Sequence, residues 1–324
     1  MERNVSLKIT GILVLLTVSV GLCGCSKSVS LENEYVFENR LAQFSERESD
    51  DFIPAFADSV CVVQGVNEEE TVLTADAAAV LDLNGGTALF EQNALERMNP
   101  ASTTKMMTAI IALKYGNLSD LVTVTEDAVI TEAGSSMAGI APGDQITLED
   151  LLYGLMIPSG NDAANAIAVH VGGSIENFVS MMNEEAMRLG ATGTHFVNAN
   201  GLTDPDHYTT AYDLYLIFHE ALQYDVFRTI IGTHAYTAEF LDGEGREKTA
   251  SWGVGNYYMN GNAETPDGLT VFGGKTGTTN AAGYCLIMGV RTDDGREYAS
   301  VIMKADSRNA LYEDMTKIIN KIDK

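Results

Sequence analysis

A chain of 324 residues can bury a large core, either as one sizeable domain or as two closely packed subdomains. Its 45% hydrophobic and 20% charged residues are ordinary for a globular protein, but its formal net charge of −25 is not. That charge argues against nucleic acid as a partner and against electrostatic binding to an anionic membrane surface, and any anionic ligand must be captured by a local basic pocket. With four cysteines, no C-x-x-C pair and no H-E-x-x-H, the chain announces no metal site and no cofactor.

In chain order, residues 1–25 read as a processed export signal. Arg3 and Lys8 open it, and the apolar stretch from Ile9 to Leu22 is too short to span a bilayer comfortably. Its end, Leu22-Cys23-Gly24-Cys25, resembles a bacterial lipobox, in which small residues precede a cysteine that becomes lipidated. Cys25 fits that pattern better than Cys23, which follows the bulky Leu22; an ordinary secretory signal is the alternative. A lipidated Cys25 would anchor the exported chain to the outer face of the cell membrane, each buried CH₂ contributing about 0.8 kcal/mol. Residues 26–57 are polar and acidic and read as a solvated tether, and residues 58–324 as the folded domain. Cys61 and Cys285 remain in the body, where two small buried thiols are a plainer expectation than a disulfide.

Within the folded part, apolar runs at 77–83 and 87–91 flank Asn84-Gly85-Gly86, a strong hairpin signal. Pro100 bars helix before it, and Met106, Met107, Ala109, Ile110 and Leu113 follow with helical spacing. Thr147, with Glu149 and Asp150 behind it, caps another helix. Further helices are predicted over 162–171, 175–189 and 211–221. Strands then return: a hairpin of 234–240 and 246–252 about Asp242-Gly243-Glu244-Gly245, and strands 271–278, 284–291 and 298–304. A helix over 310–322 closes the chain. The strands at the two ends must share one antiparallel sheet with flanking helices, and the middle forms an inserted all-helical lobe. The cleft between sheet and lobe is the expected place for a site.

Three short motifs stand at positions this layout makes meaningful. In Ser102-Thr103-Thr104-Lys105, Ser102 lies at a helix mouth and Lys105 one turn on, where i and i+3 side chains are neighbours. A hydroxyl with an amine against it is the minimum for a nucleophile with its own base. Taken alone, its plainer reading is a helix cap followed by a surface lysine. Ser159-Gly160-Asn161 falls in a loop before the helix at Asp162, where serine and asparagine also serve as ordinary caps. Lys275-Thr276-Gly277 lies on a strand beside Gly273-Gly274. An edge lysine can simply discourage aggregation, but flanking glycines point to close approach by something else.

The motifs are weak singly and strong together, because S-x-x-K, S-x-N and K-T-G in this order mark the β-lactamases and penicillin-binding proteins. The chain resembles the low-molecular-mass, serine-type D-alanyl-D-alanine carboxypeptidases. The resemblance extends to R-M-N-P-A-S-T-T-K-M-M from Arg97, I-P-S-G-N-D-A from Ile157, T-H-F-V-N-A-N-G-L from Thr194, H-Y-T-T-A-Y-D-L from His207 and G-K-T-G-T-T-N-A-A-G-Y-C-L from Gly274. It implies a β-lactamase/DD-peptidase-like fold of mixed α and β structure and an acyl-enzyme on Ser102. The substrate would be a peptidoglycan stem peptide ending in D-Ala-D-Ala, and β-lactam antibiotics would inhibit. Lys105 would be the base, its pKa lowered by burial and by the cation of Lys275. Ser159 would relay a proton to the leaving amine, and Asn161 would support Lys105 and the substrate amide. The resemblance places the oxyanion donors at the N–H groups of Ser102 and Thr278. Lys275, Thr276 and Thr278 would receive the terminal carboxylate, and Gly277 would let the substrate lie along the strand.

A class A β-lactamase needs a water-activating glutamate between the second and third motifs, and the stretch between Glu185 and Glu220 contains none. A D,D-endopeptidase acting on cross-links would keep the same machinery and stays open as an alternative. A zinc peptidase would need clustered ligands, and His195, His207 and His219 lack the accompanying pattern. Many family members carry a second, all-β domain and a terminal amphipathic helix. This sequence ends at Lys324, and the lipid on Cys25 is expected to serve as anchor instead.

Overall fold

The computed structural model describes residues 71–323. The signal, the tether, Cys25 and Cys61 lie outside these residues.

The chain enters through β1 (Ala77–Asp82) and β2 (Ala88–Gln92), then α1 (Lys105–Tyr115) and β3 (Leu121–Thr123). Next come β4 (Gln145–Thr147), α2 (Leu148–Met156), α3 (Asn161–Gly172), α4 (Ile175–Arg188), α5 (Ala211–Ala221) and α6 (Asp225–Ile231). The remainder is β5 (Ala235–Leu241), β6 (Glu247–Gly253), the single turn α7 (Tyr257–Asn260), β7 (Leu269–Thr279), β8 (Gly283–Thr292), β9 (Glu297–Ala305) and α8 (Arg308–Ile319).

The expected sheet forms in the order β2-β1-β9-β8-β7, antiparallel throughout. In the first hairpin the Asp82 carboxylate accepts the Asn84 and Gly85 N–H groups at 2.7 and 2.8 Å, which folds the turn between the strands. β1 then pairs with β9, Ala77 opposite Met303, and so joins the two ends of the described chain. Both faces of β1 are covered, so its sequence is continuously apolar rather than alternating. Ala77, Ala79 and Leu81 face one core with α1 and α5, while Ala78 and Val80 face another built on Leu311, Met315, Ile318 and Ile319 of α8. β7 is one edge of this sheet and β2 the other. Cys285 on β8 is a buried free thiol, pushed up to about 11 by burial.

The inserted lobe differs from the all-helical expectation. It carries a second sheet, β3-β4-β5-β6, beside its helices. The hairpin β5–β6 joins this sheet, not the large one, through the pairing of Leu241 with Gln145. The reason is physical: β3 and β4 have three residues each, too few for period-two alternation to register. Among the described residues no helix is long and apolar enough to cross a membrane.

Candidate active site

The nucleophile turn is built under strain. Ala101 has φ +48°, a conformation that costs a residue bearing a Cβ, and Ser102 follows it in one 3₁₀ turn, Ala101–Thr104, that feeds α1. The turn is held by its own side chains, with Thr103 Oγ1 donating to the Pro100 carbonyl and Thr104 Oγ1 to that of Ala101, both at 2.8 Å. Gly201, at φ +88°, packs directly on this turn; a Cβ there would run into the Ala101 carbonyl oxygen. From the other side β7 closes in at Gly277, where a Cβ would come within 2.9 Å of the Ser102 nitrogen. This close approach is what the glycines around the K-T-G motif signalled.

Behind the turn, His207 receives the Val197 N–H on Nδ1 at 3.1 Å and lies 2.8 Å from Thr104 Oγ1 through Nε2. Since the Thr104 hydroxyl donates to Ala101, the ring carries its proton on Nε2 and is neutral. Burial pushes this imidazole down to about 4, with Asp204 opposing and the neighbouring His195 and Lys105 acting in the same direction as burial.

Lys105 is fully buried at the first position of α1. Its Nζ lies 2.9 Å from Ser102 Oγ, 2.7 Å from Asn161 Oδ1 and 2.5 Å from the Asn200 carbonyl oxygen. Burial holds its pKa well below the usual lysine range and the nearby Lys275 charge lowers it further, while Asp162 pulls the other way. The two other partners can only accept. In the neutral form the two amine hydrogens serve Asn161 and Asn200, and the lone pair is left for the Ser102 hydroxyl. That is the geometry of a base on its nucleophile.

Lys275, on β7, is also buried, and its ammonium donates to Ser159 Oγ and to the Thr276 carbonyl, each at 2.9 Å. Burial brings its pKa down to about 7. Ser159 itself has φ +64°, a second strained residue, with its hydroxyl on the Lys275 ammonium. The Asp162 carboxylate accepts four backbone N–H groups, those of Ala138, Gly139, Ile140 and Ala163, and ties the 136–140 loop to the start of α3. Asn161 adds a backbone bond to the Ser136 carbonyl at 2.9 Å.

The structure therefore brings together every site residue expected from the three motifs: Ser102, Lys105, Ser159, Asn161, Lys275, Thr276, Gly277 and Thr278. Two pockets meet at Ser102. One is lined by Ser159, Thr276 and Thr278, and its single charged lining residue is Arg308 from the start of α8. The other is lined by Asn161, Asn200 and Thr278, and its single charged lining residue is Glu132. Three contributors escaped the sequence reading. The Asn200 carbonyl is a backbone group without a side-chain signature, although N-A-N-G marked its loop. Arg308 and Glu132 are exposed charges at no fixed spacing from any motif. Lys275, expected to receive a carboxylate together with Thr276 and Thr278, directs its ammonium to Ser159, and the cation lining the open pocket is Arg308.

Comparison with known proteins agrees with this geometry. The D-alanyl-D-alanine carboxypeptidase family model matches residues 64–307. The chain is 33% identical over 273 residues to the D-alanyl-D-alanine carboxypeptidase DacF of Bacillus subtilis, covering 82% of this chain and 66% of that protein. Against DacC of Escherichia coli it is 34% identical over 277 residues, covering 83% and 66%. The chain thus spans just under two thirds of the length of these two relatives. The crystal structure of the Streptomyces K15 DD-transpeptidase superposes with a TM-score of 0.72 at 32% identity, covering 78% of this chain and 98% of that one. A D-alanyl-D-alanine carboxypeptidase from Mycobacterium tuberculosis gives a TM-score of 0.67 at 28% identity, covering 83% and 95%. The expected DD-peptidase fold is the one observed, and the chain belongs to the D-alanyl-D-alanine carboxypeptidase family.

Proposed function

We propose that this protein is a serine-type D-Ala-D-Ala carboxypeptidase that removes the terminal D-alanine from peptidoglycan stem peptides. The observation that carries this reading is the position of Lys105 Nζ, 2.9 Å from Ser102 Oγ with its other partners restricted to acceptors. The Lys105 amine takes the Ser102 proton as Oγ attacks the carbonyl of the penultimate D-alanine. The Ser102 and Thr278 N–H groups receive the developing oxyanion at the point where Gly277 lets β7 approach the turn. Ser159, held by Lys275, passes its proton to the leaving amine, which departs as D-alanine, and regains one from the Lys105 ammonium that took it from Ser102. Water then attacks the acyl-enzyme by the reverse proton path.

The terminal carboxylate is received by Thr276 and Thr278, with the guanidinium of Arg308 in the pocket and the Lys275 charge behind it. This is the local basic pocket that a chain of net charge −25 requires to hold an anion. β-Lactams, which present a strained amide and a carboxylate to the same groups, would acylate Ser102. The reading includes a lipid anchor at Cys25, supported by the lipobox-like sequence alone; Cys25→Ser should release the protein from membranes. The enzymatic test is incubation with an acylated peptide ending in D-Ala-D-Ala and with cross-linked muropeptides. Free D-alanine is the expected product; split cross-links without D-alanine would make the protein an endopeptidase instead.

A further inference from the structure

The Ser102 N–H that receives the oxyanion belongs to the Ala101–Ser102 peptide, and a peptide unit is planar and trans. Its carbonyl and its N–H therefore point in opposite directions, and whatever fixes the Ala101 carbonyl also aims the Ser102 N–H. Backbone preference does not supply that aim, because Ala101 at φ +48° sits in a conformation that a Cβ disfavours. The groups around it must.

Ala101 is held at both of its polar ends, and both holds lead back to His207. The Ala101 carbonyl accepts the Thr104 hydroxyl at 2.8 Å, and Thr104 Oγ1 in turn lies 2.8 Å from His207 Nε2. The hydroxyl has one proton, which goes to the carbonyl, so the ring N–H supplies the second bond. His207 Nδ1 accepts the Val197 N–H at 3.1 Å, which fixes the tautomer and the orientation of the ring. At the other end, the Ala101 N–H donates to Asn99 Oδ1 at 3.2 Å, while Asn99 Nδ2 donates to the His207 carbonyl at 3.3 Å. Thr104 and His207 are both 1% exposed, so bulk water does not compete for these bonds. Neither residue lines the two pockets that meet at Ser102, and their influence on a substrate there must pass through the turn.

We infer that His207 is a positioning residue for acyl transfer: through Thr104 it holds the Ala101 carbonyl and so keeps the Ser102 N–H directed at the developing oxyanion. The role rests on the acyl-enzyme reading above and adds to it the chain of bonds that aims one of its two oxyanion donors. That contact is made in the tetrahedral state and not in the initial complex. Loosening it therefore slows the chemical step and leaves binding unchanged.

The test is the kinetics of acylation by benzylpenicillin, resolved into the dissociation constant of the initial complex and the rate constant at saturation. Thr104→Val removes the bridging hydroxyl and keeps nearly the same shape. It should lower the rate constant about 10- to 100-fold, less than the loss of a whole oxyanion donor, and move the dissociation constant less than about twofold. One adduct per molecule should still form, which separates slow chemistry from lost fold. Thr104→Ser keeps the bridge and should acylate at close to the wild-type rate. His207→Gln can place an amide N–H where Nε2 stands and should retain most of the rate. His207→Asn reaches only the position of Nδ1 and should fall as far as Thr104→Val. Combining Thr104→Val with His207→Asn should cost no more than either alone, since both break one chain of bonds. Wild-type acylation by Thr104→Val, a loss confined to the dissociation constant, or equal losses in His207→Gln and His207→Asn overturns the assignment. Should a His207 variant not fold, the Thr104→Val and Thr104→Ser pair decides. A wild type that benzylpenicillin does not acylate would overturn the Ser102 reading itself, and this role with it.

Discussion

Two lysines on the same helix, α1, have opposite fates. Lys105 is fully buried at its first position and makes no ion pair among the described residues; all three of its partners are neutral oxygens. Lys114, in the last turn, reaches the buried Glu185 carboxylate at 2.7 Å, and Arg188 approaches the same carboxylate at 2.6 Å. Burial opposes ionisation of Glu185, but Arg188 and Lys114 hold its carboxyl below the usual range. Glu220 extends the group through Arg188 at 2.7 Å. The difference shows what favours a neutral lysine over a charged one. Burial without a counter-ion favours the neutral amine, whereas burial of a carboxylate between two cations fixes charge and ties α1 to α4.

The comparison can be broken at several points. Replacing Lys105 by Gln removes the base while keeping a side chain of similar reach, and should lower D-alanine release by about 10²- to 10⁴-fold with the fold intact by circular dichroism. Asn161→Asp gives Lys105 the counter-ion it lacks. The amine should then stay protonated at neutral pH, and the acidic limb of the kcat/KM profile should move upward by about one pH unit or more. An unmoved limb would mean that Lys105 is not the group whose deprotonation is being read. Glu185→Gln breaks the structural counterpart. It should cost about 1–3 kcal/mol in denaturant unfolding, below the figure for a wholly buried pair because Lys114 and Arg188 are partly exposed, and it should leave penicillin acylation unchanged.

His207 sharpens the contrast from a third direction, as a cationic-type residue kept neutral for structural purposes. Its folded pKa, about 4, lies below the ordinary 6.5, so the unfolded chain binds the proton first. The stability it contributes is present above pH 6.5 and is lost as the pH falls toward 4, by an amount on the order of 3 kcal/mol. Unfolding free energies measured across that window should flatten in His207→Asn.

Much of this contrast was legible in the sequence, and the rest was not, for identifiable reasons. The pairing of Ser102 with Lys105 follows from helical spacing after Pro100, and the hairpins follow from Asn84-Gly85-Gly86 and from Asp242-Gly243-Glu244-Gly245. Lys105 could be read as a base only because Asn161 and Lys275 stood in motifs that the fold brings beside it. The Asn200 carbonyl left no trace, since a backbone oxygen belongs to every residue. Backbone strain at Ala101 and Ser159 was equally hidden, because neither residue type favours positive φ; the close packing of Gly201 and Gly277 imposes the first. The second sheet was missed where three-residue strands carry too little pattern.

The central claim is that Ser102 is the acylated nucleophile of this cleft. Intact-mass analysis of the purified protein after incubation with benzylpenicillin tests it most directly. One covalent adduct, mapping to the peptide that contains Ser102 and absent from Ser102→Ala, is the predicted result. No adduct on the wild type, or an adduct that persists in Ser102→Ala, would contradict it.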